Sequence, residues 1–583
     1  IVPEFEDAEA WIREELWVET EFDSDGDGTM DRVHVAVVRP AQTESDGLTV
    51  PVVYETSPYF AGTAGFAPGL FWNVQHEIGA TPPARTMGPD VPLRARPGIS
   101  NSHVDTWVPR GFAVVHSSSP GTGLSEGCPT VGGANESLAP KAVVDWLGGR
   151  ARGFTAARGG DEVTADWSTG KVGMIGTSYN GTLPLAAATT GVEGLEAIIP
   201  VAPNTSYYHY YRSNGLVRHP GGYLGEDIDV LYDFIHSRDS EFRATCDATV
   251  RDGEMAAGMD RLSGDYNDFW AGRDYLNAID GVEAATLMAH AFNDWNVMPG
   301  HSYRITEALE ARGVPVQMYY HQGGHGGYPP LEQMNRWFTR YLYEVENDVE
   351  SDPKAWIVRE GAERDAPTPY ADFPNPEAAP VVLHPASGET MGAMNGVGML
   401  THTDAPDQGT ATIVDNVSFD GRALSGAEWT EHRLLYLTPT LAAPLHLSGV
   451  PRITLRVAAD RAAANLSVWL VSLPWTDGRR ARGGIVNRGW ADPQNYVASA
   501  EGVLTESTPL TPGSFVDLTF DLHPDDQILA AGQQLGLLVF SSDRDFTLWP
   551  APGTELTVDV DAMALELPVV GGEAALRAAL GAE

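Results

Sequence analysis

The chain has 583 residues, a length that predicts two or three domains. Its 43% hydrophobic and 20% charged residues are ordinary for a folded protein, which excludes the disordered, collagen-like and coiled-coil classes. With 79 acidic and 37 basic side chains the net charge is −42, so we expect no nucleic-acid binding. Such a surface would attract cations such as a peptide's N-terminal ammonium, although solubility or salt tolerance is the simpler explanation. No apolar run is long enough for a transmembrane helix, so we expect no membrane partner.

Residues 1–345 alternate short apolar β runs with helical stretches, a pattern typical of a parallel sheet with helices on both faces. The runs are nearly continuous in apolar residues, as strands covered on both faces are. We predict strands at 49–54, 112–116, 171–175, 197–201, 286–290 and 315–320. The sequence therefore predicts an α/β domain over 1–345.

Two segments depart from this rhythm. Residues 204–285 are rich in Tyr, Trp, Asp and Arg and lie between two predicted strands, where a lid over the catalytic face would be inserted. From about residue 346 short alternating strands are separated by Gly, Pro and Asp, which predicts an all-β sandwich over 346–583. The acidic, proline-containing stretch 351–372 is interpreted as the connection.

The sharpest local motif is Gly176-Thr177-Ser178-Tyr179-Asn180-Gly181. It follows an apolar strand and precedes a helix of small residues, which is the setting of a nucleophile elbow. The usual pattern has glycine two positions after the serine, whereas this chain has Asn180 there and glycine one position later. A surface Gly-Ser turn is the alternative, but the flanking strand and helix favour a nucleophilic Ser178.

A serine nucleophile needs a histidine base, which is in turn oriented by a carboxylate. In α/β hydrolases the chain order is serine, acid, histidine. Asp294 follows the predicted strand 286–290, and His325 follows the last predicted strand, so both are in the expected places. His321 is the rival base, but it lies nearer the strand end and is interpreted as structural, as is His290.

Acyl transfer also needs donors for the developing oxyanion. The first is expected to be the backbone N–H of Tyr179, directly after the nucleophile. The loop after strand 49–54 has no Gly-Gly-Gly run to supply the second donor, so the Tyr59 hydroxyl is the candidate. A packing role for Tyr59 is equally open at this point.

These motifs together resemble the Xaa-Pro dipeptidyl-peptidases, a serine peptidase family related to cocaine esterase and the α-amino-acid ester hydrolases. The resemblance is carried by the Ser178 motif, by Pro58-Tyr59, by the stretch 294–297 and by Gly324-His325. The lid stretches 207–216 and 221–227 resemble the peptidase branch rather than the esterase branch. The resemblance implies an α/β-hydrolase domain with a helical lid, followed by a C-terminal jelly roll, which 489–493 fits. Longer members carry an N-terminal helical domain associated with dimerisation, so the oligomeric state is open.

The resemblance also implies residue roles. Ser178, Asp294 and His325 would form the triad, with Tyr59 in the oxyanion hole. Glu226, Asn296 and Tyr210 would hold the substrate's free N-terminal ammonium. Trp295 and lid aromatics would form the flat pocket for proline. From the residues alone, Glu226 could equally be a helix N-terminal carboxylate and the lid tyrosines could be lid core.

The implied activity is release of Xaa-Pro dipeptides from peptides with a free N-terminus and proline at the second position, through an acyl-enzyme. No cofactor is required for this chemistry. One alternative is a cocaine-esterase-like enzyme or an α-amino-acid ester hydrolase or acylase. Another is a carbohydrate-binding protein with an idle hydrolase domain, against which the three triad positions argue.

An acidic loop near the N-terminus is a candidate calcium site. Asp23, Asp25, Asp27 and Asp31 occupy positions 1, 3, 5 and 9 of a calcium-loop pattern. Position 12 is His34, so the bidentate glutamate is missing. The alternative is an acidic β-hairpin turn, for which Asp-Gly is also typical.

The two cysteines, Cys128 and Cys246, leave two possibilities. They could form a disulfide that closes a loop of roughly 120 residues, contributing about 4–5 kcal/mol in the chain-entropy model. Two free buried thiols are equally compatible with the sequence. The chain starts at Ile1 without an apolar leader, so we expect a processed, secreted protein, with a fragment boundary as the alternative.

Overall fold

A computed structural model describes residues 1–87, 99–237, 240–386, 397–426, 430–474, 484–501 and 506–581. These residues form an α/β domain, a lid inserted into it and an all-β C-terminal domain. Within these ranges no helix combines the length and apolar character needed to cross a bilayer.

The α/β domain is built on one large mixed sheet. Its strands are β1 (Ile12–Glu19), β2 (Arg32–Arg39), β3 (Val50–Ser57), β4 (Ala113–Ser118), β5 (Gly153–Phe154), β6 (Glu162–Val163), β7 (Ser168–Thr177), β8 (Leu195–Val201), β11 (Ala285–Ala291), β12 (Val316–His321), β13 (Ala355–Val358) and β14 (Thr368–Tyr370). The intervening strands β9 (Arg212–Ser213) and β10 (Leu216–Val217) form a separate hairpin in the lid. The sheet order is β14-β13-β12-β11-β8-β7-β3-β4-β2-β1-β5-β6. All neighbours from β13 to β4 are parallel.

Helices cover both faces of this sheet, so most residues of its central strands are buried. The helices of the α/β domain and the lid are α1 (Gln42–Ser45), α2 (Val104–Trp107), α3 (Ala134–Leu147), α4 (Tyr179–Ala188), α5 (Tyr207–Tyr211), α6 (Ile228–Ile235), α7 (Ser240–Cys246), α8 (Ala256–Gly258), α9 (Asp268–Ala271), α10 (Gly300–Ala311) and α11 (Leu331–Leu342). Side chains of α3, α4 and α10 form the core on one face. Those of α2 and α11 form the core on the other. The six predicted strands correspond to β3, β4, β7, β8, β11 and β12.

The lid lies between β8 and β11 and contains α5 to α9, a π-helical turn at Asp247–Met255 and a 3₁₀ segment at Tyr275–Gly281. It has its own aromatic core around Tyr207, Tyr208 and Trp270. A disulfide joins Cys246 at the end of α7 to Cys128 in the loop before α3, with their Cα atoms 5.4 Å apart. The lid is therefore tied covalently to the α/β domain, and the alternative of two free thiols is wrong.

The C-terminal domain consists mainly of antiparallel strands. They are β15 (Ala378–Ala386), β16 (Val397–Thr401), β17 (Thr410–Val414), β18 (Leu434–Leu437), β19 (Leu445–Gly449), β20 (Arg452–Ala459), β21 (Leu466–Leu473), β22 (Ile485–Ala491), β23 (Val516–Asp521), β24 (Asp525–Leu529), β25 (Gln534–Phe540) and β26 (Glu555–Val570), with helices α12 (Gly421–Gly426), α13 (Tyr496–Glu501) and α14 (Gly572–Ala579). Along β26 buried and partly exposed residues alternate almost without a break, as in a strand with one face on a core. Strand β15 pairs with both β16 and β26 and so joins two groups of strands that share one core.

The first domain extends beyond the predicted boundary at residue 345. Strand β13 pairs in parallel with β12, and β14 continues the same sheet. The stretch 351–372, interpreted from sequence as a connection, therefore contains two strands of the α/β sheet. They are short, and the acidic and proline residues around them conceal the β pattern in the sequence.

Candidate active site

Ser178 stands on a sharp turn between β7 and α4. Its backbone angles, φ 65° and ψ −126°, are ones that a residue with a side chain rarely adopts. A Cβ at Gly176 would lie 2.3 Å from the Asn180 carbonyl oxygen, and one at Gly181 would lie 2.5 Å from the Val201 carbonyl oxygen. Both glycines are therefore required for the backbone to pass itself this closely, as a nucleophile elbow demands.

The asparagine that departs from the usual elbow pattern has a defined partner. Asn180 Nδ2 donates to Glu55 Oε1 over 2.8 Å. Glu55 lies on β3, the strand that leads into the loop carrying Tyr59. The side chain at position 180 thus links the elbow to the neighbouring strand, which accounts for a non-glycine residue there.

Asp294 and His325 meet although 31 residues separate them. His325 Nδ1 donates to Asp294 Oδ2 over 2.7 Å, and Asp294 Oδ1 accepts the backbone N–H groups of Asn296 and Val297, each at 3.0 Å. Burial would raise the pKa of Asp294, but hydrogen bonds from His290 and His325 outweigh it and hold the pKa below its usual value. Asp294 is thus a carboxylate that can orient His325.

Ser178 and His325 line the same cavity. Among the described residues no hydrogen bond joins their side chains, which is common in unliganded enzymes, where such bonds shorten when substrate binds. The structure therefore brings the three predicted triad residues to one site. Their catalytic roles stay predictions.

The other two histidines near the strand ends have structural partners. His321 Nε2 donates to the Gly326 carbonyl at 2.8 Å, and its Nδ1 accepts the Gly323 N–H at 3.0 Å. Both ring nitrogens of His321 are thus used to hold the loop that presents His325. His290 Nε2 donates to the Val297 carbonyl at 2.9 Å and also lies 3.4 Å from Asp294 Oδ2, and its Nδ1 pairs with Ser302 Oγ.

The two predicted oxyanion donors lie beside the nucleophile. The Tyr179 N–H is the first of α4, and it donates to no other backbone group in the described ranges. Tyr59 lines the cavity and packs edge-to-face on Tyr179, with ring centres 5.7 Å apart. Burial, reinforced by the charge of Glu226, raises the pKa of Tyr59, so its hydroxyl stays protonated and able to donate.

The predicted ammonium ligands also meet in this cavity. Glu226, Tyr210 and Asn296 line it together with Ser178 and His325. The Tyr210 hydroxyl donates to Asn296 Oδ1 at 3.2 Å. Glu226 is only 6% exposed, and Oε1 of this carboxyl group accepts the Tyr211 hydroxyl at 2.8 Å.

The electrostatic state of Glu226 follows from its surroundings. Burial raises its pKa to about 8, the hydrogen bond from Tyr211 lowers it in part, and the charge of Asp227 raises it. No cationic side chain lies within 4 Å of Glu226 in the described part of the chain, since the neighbouring Arg212 and Arg261 pair with Asp227. At neutral pH the free protein therefore holds Glu226 largely protonated, and an ammonium group that enters with a ligand would favour its carboxylate form.

The cavity has a volume of about 270 Å³. Much of the rest of its wall is apolar and includes Phe71, Tyr223, Val230, Leu231 and Phe234. Phe71 belongs to the loop 58–87, in which only Tyr59 has a role predicted from the sequence. Arg85 clamps this loop onto α6 through ion pairs of 2.7 Å to Asp229 and to Asp233. The sequence feature that could have indicated a place in the cavity wall is the Phe71-Trp72 pair, two aromatic residues in a Gly- and Pro-rich loop.

Trp295 is not part of the cavity wall. Its ring packs against Trp490, His523 and the guanidinium of Arg488 in the C-terminal domain. The expectation that Trp295 forms the proline pocket is therefore wrong. Its neighbours in sequence face the site, but the side chain of Trp295 packs on the adjacent domain.

The acidic loop brings together three of its four predicted ligands. Asp23, Asp25 and Asp27 each offer a carboxylate oxygen within 4.8 Å of the others. Asp31 lies outside this group, and its Oδ2 accepts the Ser24 N–H and hydroxyl, so the structure does not bring the fourth predicted ligand to the other three. Asp23 already accepts three backbone N–H groups and Asp27 pairs with Arg158, as in a self-contained turn. A calcium ion here stays a prediction.

Comparison with known proteins agrees with this geometry. The family model of the X-Pro dipeptidyl-peptidases (S15 family) matches residues 25–327, and that of the C-terminal non-catalytic domain of X-Pro dipeptidyl-peptidases matches 347–575. A Rhodopirellula baltica protein, provisionally named an Xaa-Pro dipeptidyl-peptidase, is 61% identical over 98% of this chain and 90% of its own length. The Xaa-Pro dipeptidyl-peptidase of Lactobacillus delbrueckii subsp. lactis is 32% identical over 95% of this chain and 77% of its own.

Solved structures share the fold at low identity. An α-amino acid ester hydrolase matches with a TM-score of 0.65 and 16% identity, over 96% of this chain and 97% of its own. A CocE/NonD family hydrolase from Staphylococcus aureus matches with a TM-score of 0.65 and 17% identity, over 96% and 94%. The predicted α/β-hydrolase fold is thus confirmed, and the family models make the chain a serine peptidase. The chain belongs to the S15 family of X-Pro dipeptidyl-peptidases.

Proposed function

We propose that this protein releases Xaa-Pro dipeptides from the free N-terminus of peptides. The observation that carries the proposal is a buried carboxylate, Glu226, in the same cavity as Ser178 and His325. A buried carboxyl group without a cationic partner pairs strongly with an ammonium group, which stabilises its ionised form, because a charge-assisted hydrogen bond gains strength away from water. An ammonium held there would fix the substrate's N-terminus and place a nearby peptide bond at Ser178.

The proposed chemistry is acyl transfer through Ser178. Ser178 Oγ attacks the scissile carbonyl while His325 Nε2 accepts its proton, and Asp294 holds the resulting imidazolium. The Tyr179 N–H and the Tyr59 hydroxyl stabilise the oxyanion. His325 then protonates the leaving amine, and water hydrolyses the acyl-enzyme by the reverse sequence of proton transfers.

Proline at the second position needs a flat apolar surface. Because Trp295 packs elsewhere, we assign this surface to the aromatic side chains of the cavity wall. Phe71, Tyr223 and Phe234 supply apolar faces there, and such faces suit the pyrrolidine ring. These residues come from the loop 58–87 and from the lid.

The test is steady-state hydrolysis of three substrates: Ala-Pro-p-nitroanilide, its N-acetylated form, and p-nitrophenyl acetate. We expect rapid cleavage of only the free-amine dipeptide, and a loss of at least about 10³-fold in Ser178→Ala. Faster turnover of p-nitrophenyl acetate or of the N-acetylated peptide would instead favour the ester-hydrolase or acylase alternative. Unchanged activity in Ser178→Ala would contradict the assigned nucleophile.

We also propose that the protein works outside the cytoplasm. The supporting observation is the buried Cys128–Cys246 disulfide, because structural disulfides persist mainly in oxidising compartments. Fractionation of the producing cells tests this. Recovery of the protein only from the cytoplasm with both thiols reduced would contradict it.

A further inference from the structure

The segment 294–297 connects three parts of the molecule. Asp294 bonds to His325, and Asn296 accepts the Tyr210 hydroxyl in the cavity. Between them, the Trp295 carbonyl accepts the Gly221 N–H of the lid at 2.8 Å. The position of this short segment therefore determines where both the predicted catalytic acid, Asp294, and a predicted ammonium ligand, Asn296, lie.

The Trp295 ring is held by the C-terminal domain. The guanidinium carbon of Arg488, on β22, lies 4.5 Å from the centre of the Trp295 ring. The same guanidinium lies 4.2 Å from the Trp469 ring and 4.8 Å from the Phe546 ring. Trp295 is thus one wall of an aromatic cage around a cation, and its other walls belong to the C-terminal domain.

Hydrogen bonds to one buried carboxyl group, that of Asp543, hold two tryptophan rings of this region in place. Asp543 accepts the indole N–H of Trp469 at 2.9 Å and that of Trp490 at 3.0 Å. Arg488 is 7% exposed, and in the described part of the chain its Nε has no hydrogen-bond partner. Contacts with ring faces stabilise such a desolvated guanidinium, and the planar shape of Arg suits stacking in a way that Lys does not.

We propose that Arg488 is a positioning residue for the active site, acting through Trp295 on Asp294 and Asn296. The C-terminal domain then has a role in catalysis although none of its described residues lines the cavity. The part of the inference that concerns Asn296 rests on the proposed function. The part that concerns Asp294 requires only a Ser-His-Asp hydrolase.

The test compares Arg488→Met, Trp295→Leu and the double variant, after thermal melting has shown that each is folded. We expect Arg488→Met to lower kcat/KM for Ala-Pro-p-nitroanilide by about 10- to 100-fold, the size of effect that a 1 Å misplacement produces. KM rises because Asn296 shifts, and kcat falls because Asp294 shifts. The double variant stays within about threefold of Trp295→Leu, since residues acting in one chain of contacts are not additive.

Arg456→Met is the matched control. Arg456 also lies over an aromatic ring of the C-terminal domain, that of Phe515, but its contacts stay within that domain. We expect its kinetics to match the parent protein. The inference is overturned if Arg488→Met keeps kcat/KM within twofold, or if its loss multiplies fully with that of Trp295→Leu.

Two further arms keep the result decisive. If Arg488→Met does not fold, Arg488→Lys replaces it, because Lys keeps the buried charge but not the planar stack. A several-fold loss of kcat/KM in Arg488→Lys supports the inference, and parent-like kinetics overturn it. If the parent protein cleaves p-nitrophenyl acetate but not the dipeptide, the proposed function fails. Hydrolysis of the ester then still reports on Asp294, and unchanged kcat in Arg488→Met overturns the inference.

Discussion

Replacing Glu226 by Gln tests the proposed ammonium site with little change in shape. The amide oxygen of Gln can still accept the Tyr211 hydroxyl, so the main loss is the negative charge that Glu226 would carry once an ammonium group is bound. Because Glu226 is only 6% exposed, solvent screens its interaction with an ammonium group weakly. Removing one partner of a buried, hydrogen-bonded charge pair costs about 2–5 kcal/mol.

Taking about 3 kcal/mol, kcat/KM for Ala-Pro-p-nitroanilide falls by about 150-fold in Glu226→Gln. Hydrolysis of p-nitrophenyl acetate, which has no ammonium, changes by less than about threefold. The assay is therefore the ratio of kcat/KM values for the two substrates, measured for both proteins. This ratio cancels any general effect of the substitution on Ser178.

Glu136→Gln is the matched control for this experiment. Glu136 is also a fully buried carboxylate that accepts a tyrosine hydroxyl, that of Tyr179, but it does not line the cavity. We expect Glu136→Gln to affect both substrates by the same factor. A Glu226→Gln protein that keeps the parent's preference for the free-amine dipeptide would refute ammonium recognition by Glu226.

The pKa of Glu226 adds a stability readout to the same variant. Burial raises this pKa from 4.5 to about 8, so the folded protein keeps a proton that the unfolded chain releases in this range. The contribution of Glu226 to the free energy of unfolding therefore falls as pH rises from 4.5 through 8. We expect Glu226→Gln to raise Tm at pH 8 and to raise it less at pH 5; equal shifts at both would contradict the raised pKa.

Two further predictions concern the elbow and the lid. Gly181→Ala would place a Cβ 2.5 Å from the Val201 carbonyl oxygen, so we expect it to lower the free energy of unfolding, measured by heat or urea, by about 1–3 kcal/mol. Gly272→Ala is the control, because its Cβ would meet nothing closer than 3.5 Å and its effect on stability should be near zero. Equal stability of the two variants would contradict the close approach. Replacing both Cys128 and Cys246 by Ser should cost about 4–5 kcal/mol in the chain-entropy model, and melting at the parent's Tm would contradict a stabilising disulfide.

The order of the candidate triad could be predicted because local sequence places each residue at a strand end. Ser178 follows β7, Asp294 follows β11 and His325 follows β12. The carboxyl ends of parallel strands lie along one edge of the sheet, so residues far apart in the chain meet there. Apolar runs between turn residues locate those strands without any knowledge of tertiary contacts.

Residues outside this framework could not be placed in the same way. Trp295 has functional neighbours on both sides, yet its ring belongs to a cage whose other members lie about 200 residues away. The loop 58–87 is held at the cavity by contacts with the lid, among them the ion pairs of Arg85 with two carboxylates of α6. Strands β13 and β14 are too short for their own pattern to separate them from a linker.

The sequence by itself determined the alternation of strands and helices, the strained serine turn and the set of polar side chains at the strand ends. These depend on side-chain period, backbone conformation and chain order, which are local properties. Only the tertiary structure decided the disulfide over two thiols, the partners of Glu226 and the side of the molecule that Trp295 faces. Those depend on which distant surfaces exclude water together, because burial both fixes the packing of a ring and raises the pKa of a carboxyl group.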